Sequence, residues 1–240
     1  MKQRLVEWSG EQLDRLRLLL ARPDALLQLA LLGLVTGLLA GSVIVVFRLL
    51  VEGTQVALLP GDSAENFELL PPWLRLVLPV LGGLIIGWIF LVYSRGLHVL
   101  GVARVLERMA YHQGHIRLRE FVLQFVGAAI AIASGHSVGR EGPHIFLGAA
   151  SGSLLGRYLT LPNNSIRTLV GCGTAAGIAA SFNTPLAGVI FALEVVMMEY
   201  TLASFTPVIL AAVSANAIAI SVLGSEPAFQ VPQLQLSSFY

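Results

Sequence analysis

Residues 134–156, SGHSVGREGPHIFLGAASGSLLG, set a cation and an anion, Arg140 and Glu141, between Gly139 and the Gly142-Pro143 pair, in an otherwise apolar half of the chain. The uncharged runs on either side are too short to cross a bilayer alone. Residues 121–134 make a helix of at most ~21 Å, and residues 143–156 another of ~21 Å, against a hydrocarbon core of about 30 Å. As one unbroken helix, 121–156 would reach ~54 Å. The spacing therefore predicts a break over 135–142 while the chain is still at membrane depth. Irregular backbone is tolerated there only where protein buries it or where it lines a water-filled cavity. In transporters, glycine- or proline-interrupted segments of this kind mark the substrate site.

The residues at the break suit an anion. Pro143 fits the first turn of a helix, where its missing N–H is no loss. Gly139 and Gly142 leave the backbone bare, so their amides can approach an ion. The first amides of the helix that follows are unpaired and carry the positive end of its dipole. Arg140 has two readings: added positive charge beside the anion, or a structural element held by backbone carbonyls. Glu141 reads as a tethered anion that occupies the site until protonation or displacement opens it. The competing reading is a structural Arg140–Glu141 ion pair, yet adjacent residues on a helix do not face each other. Ionisable residues inside a membrane are functional by default. His136 and His144 flank the motif, and Glu141-x-x-His144 has the spacing of a metal-ligand pair. Gly142 and Pro143 make that geometry poor, and no second Glu-x-x-His occurs, so no metal site is expected.

Composition sets the class. The 240 residues are 55% hydrophobic and 12% charged, where a soluble domain carries about 25% charged residues. The expected fold is an all-α integral membrane protein. A net charge of +1 without a Lys/Arg run argues against a nucleic-acid partner. A single cysteine, Cys172, excludes an internal disulfide. Residues 1–24 mix five basic and four acidic side chains over an amphipathic pattern and read as a surface helix rather than a cleaved signal.

Spans are expected at 25–47 and 76–94. Beyond Glu120 only six charged residues occur up to position 223, and that tract should hold helices near 121–134, 143–157, 166–180, 185–199 and 203–222. Residues 1–24 and 94–120 each carry five basic residues, whereas 52–72 carries four acids and no Lys or Arg. The positive-inside rule places the N-terminus and 94–120 in the cytoplasm and 52–72 outside. Glycines at four-residue spacing, Gly33/Gly37/Gly41, Gly83/Gly87 and Gly148/Gly152/Gly156, predict close helix packing.

GREGP at 139–143, followed by GCGTAAGIAASFNTPLAGVIFALE at 171–194, resembles the CLC family of chloride channels and transporters. The resemblance runs over essentially the whole chain but covers only the N-terminal half of a CLC membrane domain. It implies a bundle of tilted and broken transmembrane helices, the first inverted repeat of a CLC-type fold, spanning 25–223. Residues 1–24 form the cytoplasmic amphipathic helix of that scheme and 224–240 a truncated tail. By position, Glu141 matches the external gate, and Gly139, Arg140, Gly142 and Pro143 match the anion pathway. Phe182, Asn183, Pro185, Leu186 and Gly188 match a packing and dimer-facing element that closes on Glu194.

Three departures qualify the match. Where the family carries a GSGIP motif whose serine coordinates the anion, this chain has VLGVARVLERM at 99–109, with Gly101 near the serine's place. Proton-exchanging members carry a glutamate just after the acid matching Glu194; here that position is Val195, which cannot relay a proton. The second inverted repeat is missing, so a fragment of a longer subunit is expected.

The resulting expectation is a passive anion channel subunit, not an enzyme, gated by Glu141. It has no cofactor and carries chloride or a similar small anion. It would be multi-pass in a bacterial inner membrane, and a homodimer in the full-length form. Proton-coupled exchange and a non-conducting fragment are the alternatives, and an intramembrane enzyme or metal transporter using His136, Glu141 and His144 lacks a second ligand set.

Overall fold

The computed structural model describes residues 26–60, 67–94 and 100–224. The surface helix at 1–24 and the tail beyond Gly224 lie outside the described residues, as do Asp62, Glu65 and Arg95. Among the described residues the chain is helical, with no strand. The helices are α1 Leu26–Leu58, α2 Pro72–Tyr93, α3 Val102–Tyr111, α4 Leu118–Ala133, α5 Glu141–Tyr158, α6 Asn163–Phe182, α7 Pro185–Phe191 and α8 Leu202–Leu223, with a short 3-10 turn at Phe67–Leu69. Helices long and apolar enough to cross a membrane are α1, α2 and, from Ala203, α8.

Glycine decides the packing. Every residue of α6 from Leu169 to Ser181 is buried, because most of that stretch is Gly, Ala, Ser and Thr and lets neighbouring helices approach from all sides. A Cβ added at Gly148 would strike the carbonyl oxygen of Gly173, and one added at Gly173 would strike that of Gly148. Further along, Gly152 faces Leu169 and Gly156 faces Ile166, so α5 and α6 run antiparallel with their backbones in contact. The second ladder pairs Gly33 with Pro207, Gly37 with Ala211 and Gly41 with Ala215. Here both series ascend together, so α1 and α8 run parallel. Such close approach of small residues is how helices associate in lipid. The third predicted pair is only half realised: Gly83 lies beside the His136 ring, but Gly87 faces open space.

Several boundaries move. α1 continues 11 residues past the expected end at Phe47: Arg48 and Glu52 pair one turn apart on the helix, 3.1 Å between charged atoms, and Val51 and Gln55 are buried. The acidic segment 52–72 therefore starts inside a helix. The single helix expected over 185–199 is an α-helix to Phe191 and then a π-helical turn over Ala192–Met197, closed by Met198 at φ +54°. α5 begins at Glu141 rather than 143, which makes Glu141 its first residue.

The five arginines of 94–120 are not all free charges. Arg104 and Arg108 both donate to Glu120, which is fully buried at the start of α4. Arg104 also holds Glu107 at 2.7 Å, and this hydrogen bond keeps the Glu107 carboxyl below its ordinary range. The turn after α3 is fastened to the core by three polar ties. Ser153 accepts from the Ile116 amide at 2.8 Å and donates to the Gly114 carbonyl at 2.7 Å. Arg157 donates to the Ile116 carbonyl and Arg167 to that of Met109. These contacts fix α3, and with it Gly101.

Candidate functional site

α4 stops where glycine lets it. Gly135 takes φ +83°, its amide reaches Ile132 and the His136 amide reaches Ala131. That is the Schellman arrangement, which satisfies the last carbonyls of a helix by a left-handed turn. The Ser134 hydroxyl caps further, donating to Ile130 at 2.6 Å, and meets the His136 Nδ1 at 3.0 Å. The chain then runs non-helically through 136–139 and re-enters a helix at Glu141. The predicted break is present. α4 has 16 residues and α5 has 18, about 24 and 27 Å, each longer than the uncharged runs alone suggested.

The break opens on a cavity of about 430 Å³. Gly139, Gly142 and Pro143 from the break and Gly101 from the start of α3 all line it. Gly101 sits at φ +79°, ψ −154° and caps α3, a backbone region that side chains rarely enter. A Cβ there would lie 4.0 Å from the Gly142 Cα. The starts of two helices therefore meet at one cavity. The first amides of a helix have no partner within it, and both sets carry a positive dipole end. The arrangement is suited to holding a negative charge.

Glu141 is exposed, and its carboxylate folds back over Gly139. A Cβ at Gly139 would collide with the Glu141 Oε2, so the bare glycine makes room for the carboxylate; Gly139 lines the cavity, whereas Glu141 and Arg140 are not among the residues that line it. Arg140, half-buried, occupies the N-cap position of α5. His144 points elsewhere. It is 1% exposed, with Phe47 edge-on at 5.3 Å and Phe182 at 6.5 Å between ring centres. Glu141 and His144 thus face different surroundings and do not converge as a ligand pair.

The second motif lies behind the first. Phe182 touches His144 and ends α6, and Asn183 takes the left-handed conformation and accepts from Asn216 at 3.0 Å. Pro185 opens α7 at the first helical position, and Gly188 backs onto the Ala175 carbonyl. Leu186 is exposed. Glu194, exposed, and Val195, half-buried, lie on the π-helical turn and are not among the residues that line the cavity. The sequence reading passed over two groups: the Glu120 ion-pair cluster, and Gln124, a lone amide in the apolar run of α4 that reaches the cavity wall. A polar side chain inside an apolar helix was the available signal for Gln124; Glu120, beside Arg117 and Arg119 at the start of α4, carried none.

The fold and the site together define a multi-pass helical membrane protein whose broken helices meet at a cavity. The voltage gated chloride channel family model matches residues 82–240. A protein of Ralstonia nicotianae described as ClcB-like is 32% identical over 216 residues, 88% of this chain and 50% of the relative. The voltage-gated ClC-type chloride channel ClcB of Yersinia pestis is 32% identical over 166 residues, 68% of this chain and 40% of the relative. Among solved structures, a CLC-type fluoride/proton antiporter superposes with a TM-score of 0.69 at 30% identity, covering 89% of this chain and 51% of that one. The chain belongs to the voltage gated chloride channel (CLC) family. It spans about half the length of the curated relatives it matches.

Proposed function

We propose that this chain forms one half of a CLC-type anion pathway, with Glu141 as its gate and chloride or a similar small anion as its cargo. The observation that carries the reading is the meeting of two helix starts at the cavity, with the Glu141 carboxylate folded over Gly139 beside it. A carboxylate there takes the place of the free ion, and protonation releases it. Gly101, Gly139, Gly142 and Pro143 offer backbone, and Arg140 adds positive charge at the helix start. The protein works in a bacterial inner membrane with its N-terminus in the cytoplasm, and pairs as a homodimer in its full-length form.

The test is chloride efflux from liposomes holding this chain or its Glu141→Gln variant, at two external pH values. Wild-type flux is expected to rise as pH falls, and the variant to be fast at both. A variant that keeps the wild-type pH dependence removes Glu141 as the gate. Absence of efflux from both means that the pathway needs its other half.

Val195 supports passive conduction, because valine carries no proton. The competing reading is proton-coupled exchange, favoured by the likeness to the fluoride/proton antiporter. Proton movement against a chloride gradient separates the two. The Val195→Glu variant is expected to remain uncoupled. Strong proton flux from it would show that a single acid was all the relay lacked.

A further inference from the structure

Among the described residues, one polar side chain lines the cavity, and it comes from neither helix start. Gln124 lies on α4 and is 8% exposed. Its Oε1 is enclosed without a hydrogen-bond partner, and the side chain lines the cavity with Gly101, Gly139 and Gly142. The rest of the wall is glycine, proline and hydrocarbon, such as Phe90 and Leu123. The enclosed Oε1 is out of reach of any group in the cavity, whereas Nε2 is not among the enclosed atoms, so the donor end of the amide is the one that can meet a group there.

An anion held by the amides of α3 and α5 sits in the space this side chain borders. Gly101 has no side chain to offer that ion. We propose that Gln124 is a ligand of the transported anion, its amide NH₂ donating from α4 as the side-chain donor missing at the start of α3. The proposal rests on the anion-pathway reading above. It assigns a neutral donor rather than a fixed cation to the wall, which suits a site that must release its ion as readily as it binds it. The ligand class is a small monovalent anion with chloride as the test ion.

The experiment measures equilibrium binding of radiolabelled chloride to the purified chain in detergent, in a Glu141→Gln background so that the neighbouring carboxylate does not titrate. Gln124→Glu keeps the shape of the side chain. At neutral pH its carboxylate only accepts, and chloride binding is expected to weaken at least about tenfold, the size of one hydrogen bond to a charged partner. As pH falls and the carboxyl gains a proton to donate, binding should return toward that of Gln124. Gln124→Leu should bind about tenfold more weakly at every pH. An unfolding midpoint unchanged in Gln124→Leu separates loss of a ligand from loss of the fold.

Unchanged binding in both variants overturns the proposal and leaves the pathway reading standing. Weakened binding in Gln124→Glu that acid does not restore overturns it too, by making the residue structural. No chloride binding in the Gln124 parent overturns both readings together.

Discussion

Replacing Glu120 with alanine is expected to lower the unfolding free energy by about 3–5 kcal/mol, the range for removing one partner of a buried ion pair. The carboxylate is fully buried and accepts from two guanidinium groups, Arg104 at 3.0 Å and Arg108 closer still. Arg108 is itself 5% exposed, and its Nε already lacks a partner. Deleting the acid leaves the buried Arg108 without its counter-charge, while Arg104 keeps Glu107. Thermal or denaturant unfolding of the purified chain in detergent measures the effect.

A loss below about 1 kcal/mol would place the cluster with exposed salt bridges instead. The loss should be relieved when Arg104 and Arg108 are also replaced by methionine, because an apolar cluster of similar volume often matches a buried ion pair. The same substitution loosens the tie between α3 and α4, so Gly101 should lose its fixed distance from Gly142 as well.

The second large effect is expected at Gly173. Its missing Cβ would point at the Gly148 carbonyl, and a backbone oxygen cannot rotate away as a side chain can. Gly173→Ala should destabilise by about 1–3 kcal/mol or more, as overpacking does, and Gly173→Leu should prevent α5 and α6 from pairing at all. Gly87 supplies the contrast, since nothing lies within 4 Å of its missing Cβ. There alanine should be neutral or stabilising by about 0.5–1 kcal/mol, because glycine weakens a helix interior. Equal melting behaviour of Gly173→Ala and Gly87→Ala would refute the backbone contact.

Much of this architecture can be read from residue spacing. The break at 135–142 follows from span lengths, and the glycine triplets of α1 and α5 both found partners. Gly83/Gly87 shows the limit of that rule: spacing marks a face able to pack closely, but whether a helix lies opposite depends on the rest of the fold. The same limit explains Glu120. Counting arginines in 94–120 assigns them to a polar segment, and nothing local says that two of them turn inward to one acid 16 and 12 positions further on. Glu141 and Gly101 were legible because each carries a motif or a gap in one. Gln124 was not, because a single amide in an apolar helix acquires meaning only when the helix start of another segment arrives beside it. The π-helical turn at 192–197 left no trace in the apolar pattern, which suits an α-helix equally well.

The parallel course of α1 and α8 has a topological meaning. Both helices are long and apolar enough to traverse a membrane, and they cross it in the same direction. Leu26 and Leu223 therefore lie on opposite faces of the bilayer, and the described segment makes a net single crossing. Such a unit has odd parity. A second copy joined in tandem would enter from the far face and be assembled upside down relative to the first. Inversion is then a consequence of crossing number alone, already contained in how the Gly33/Gly37/Gly41 ladder aligns α1 with α8.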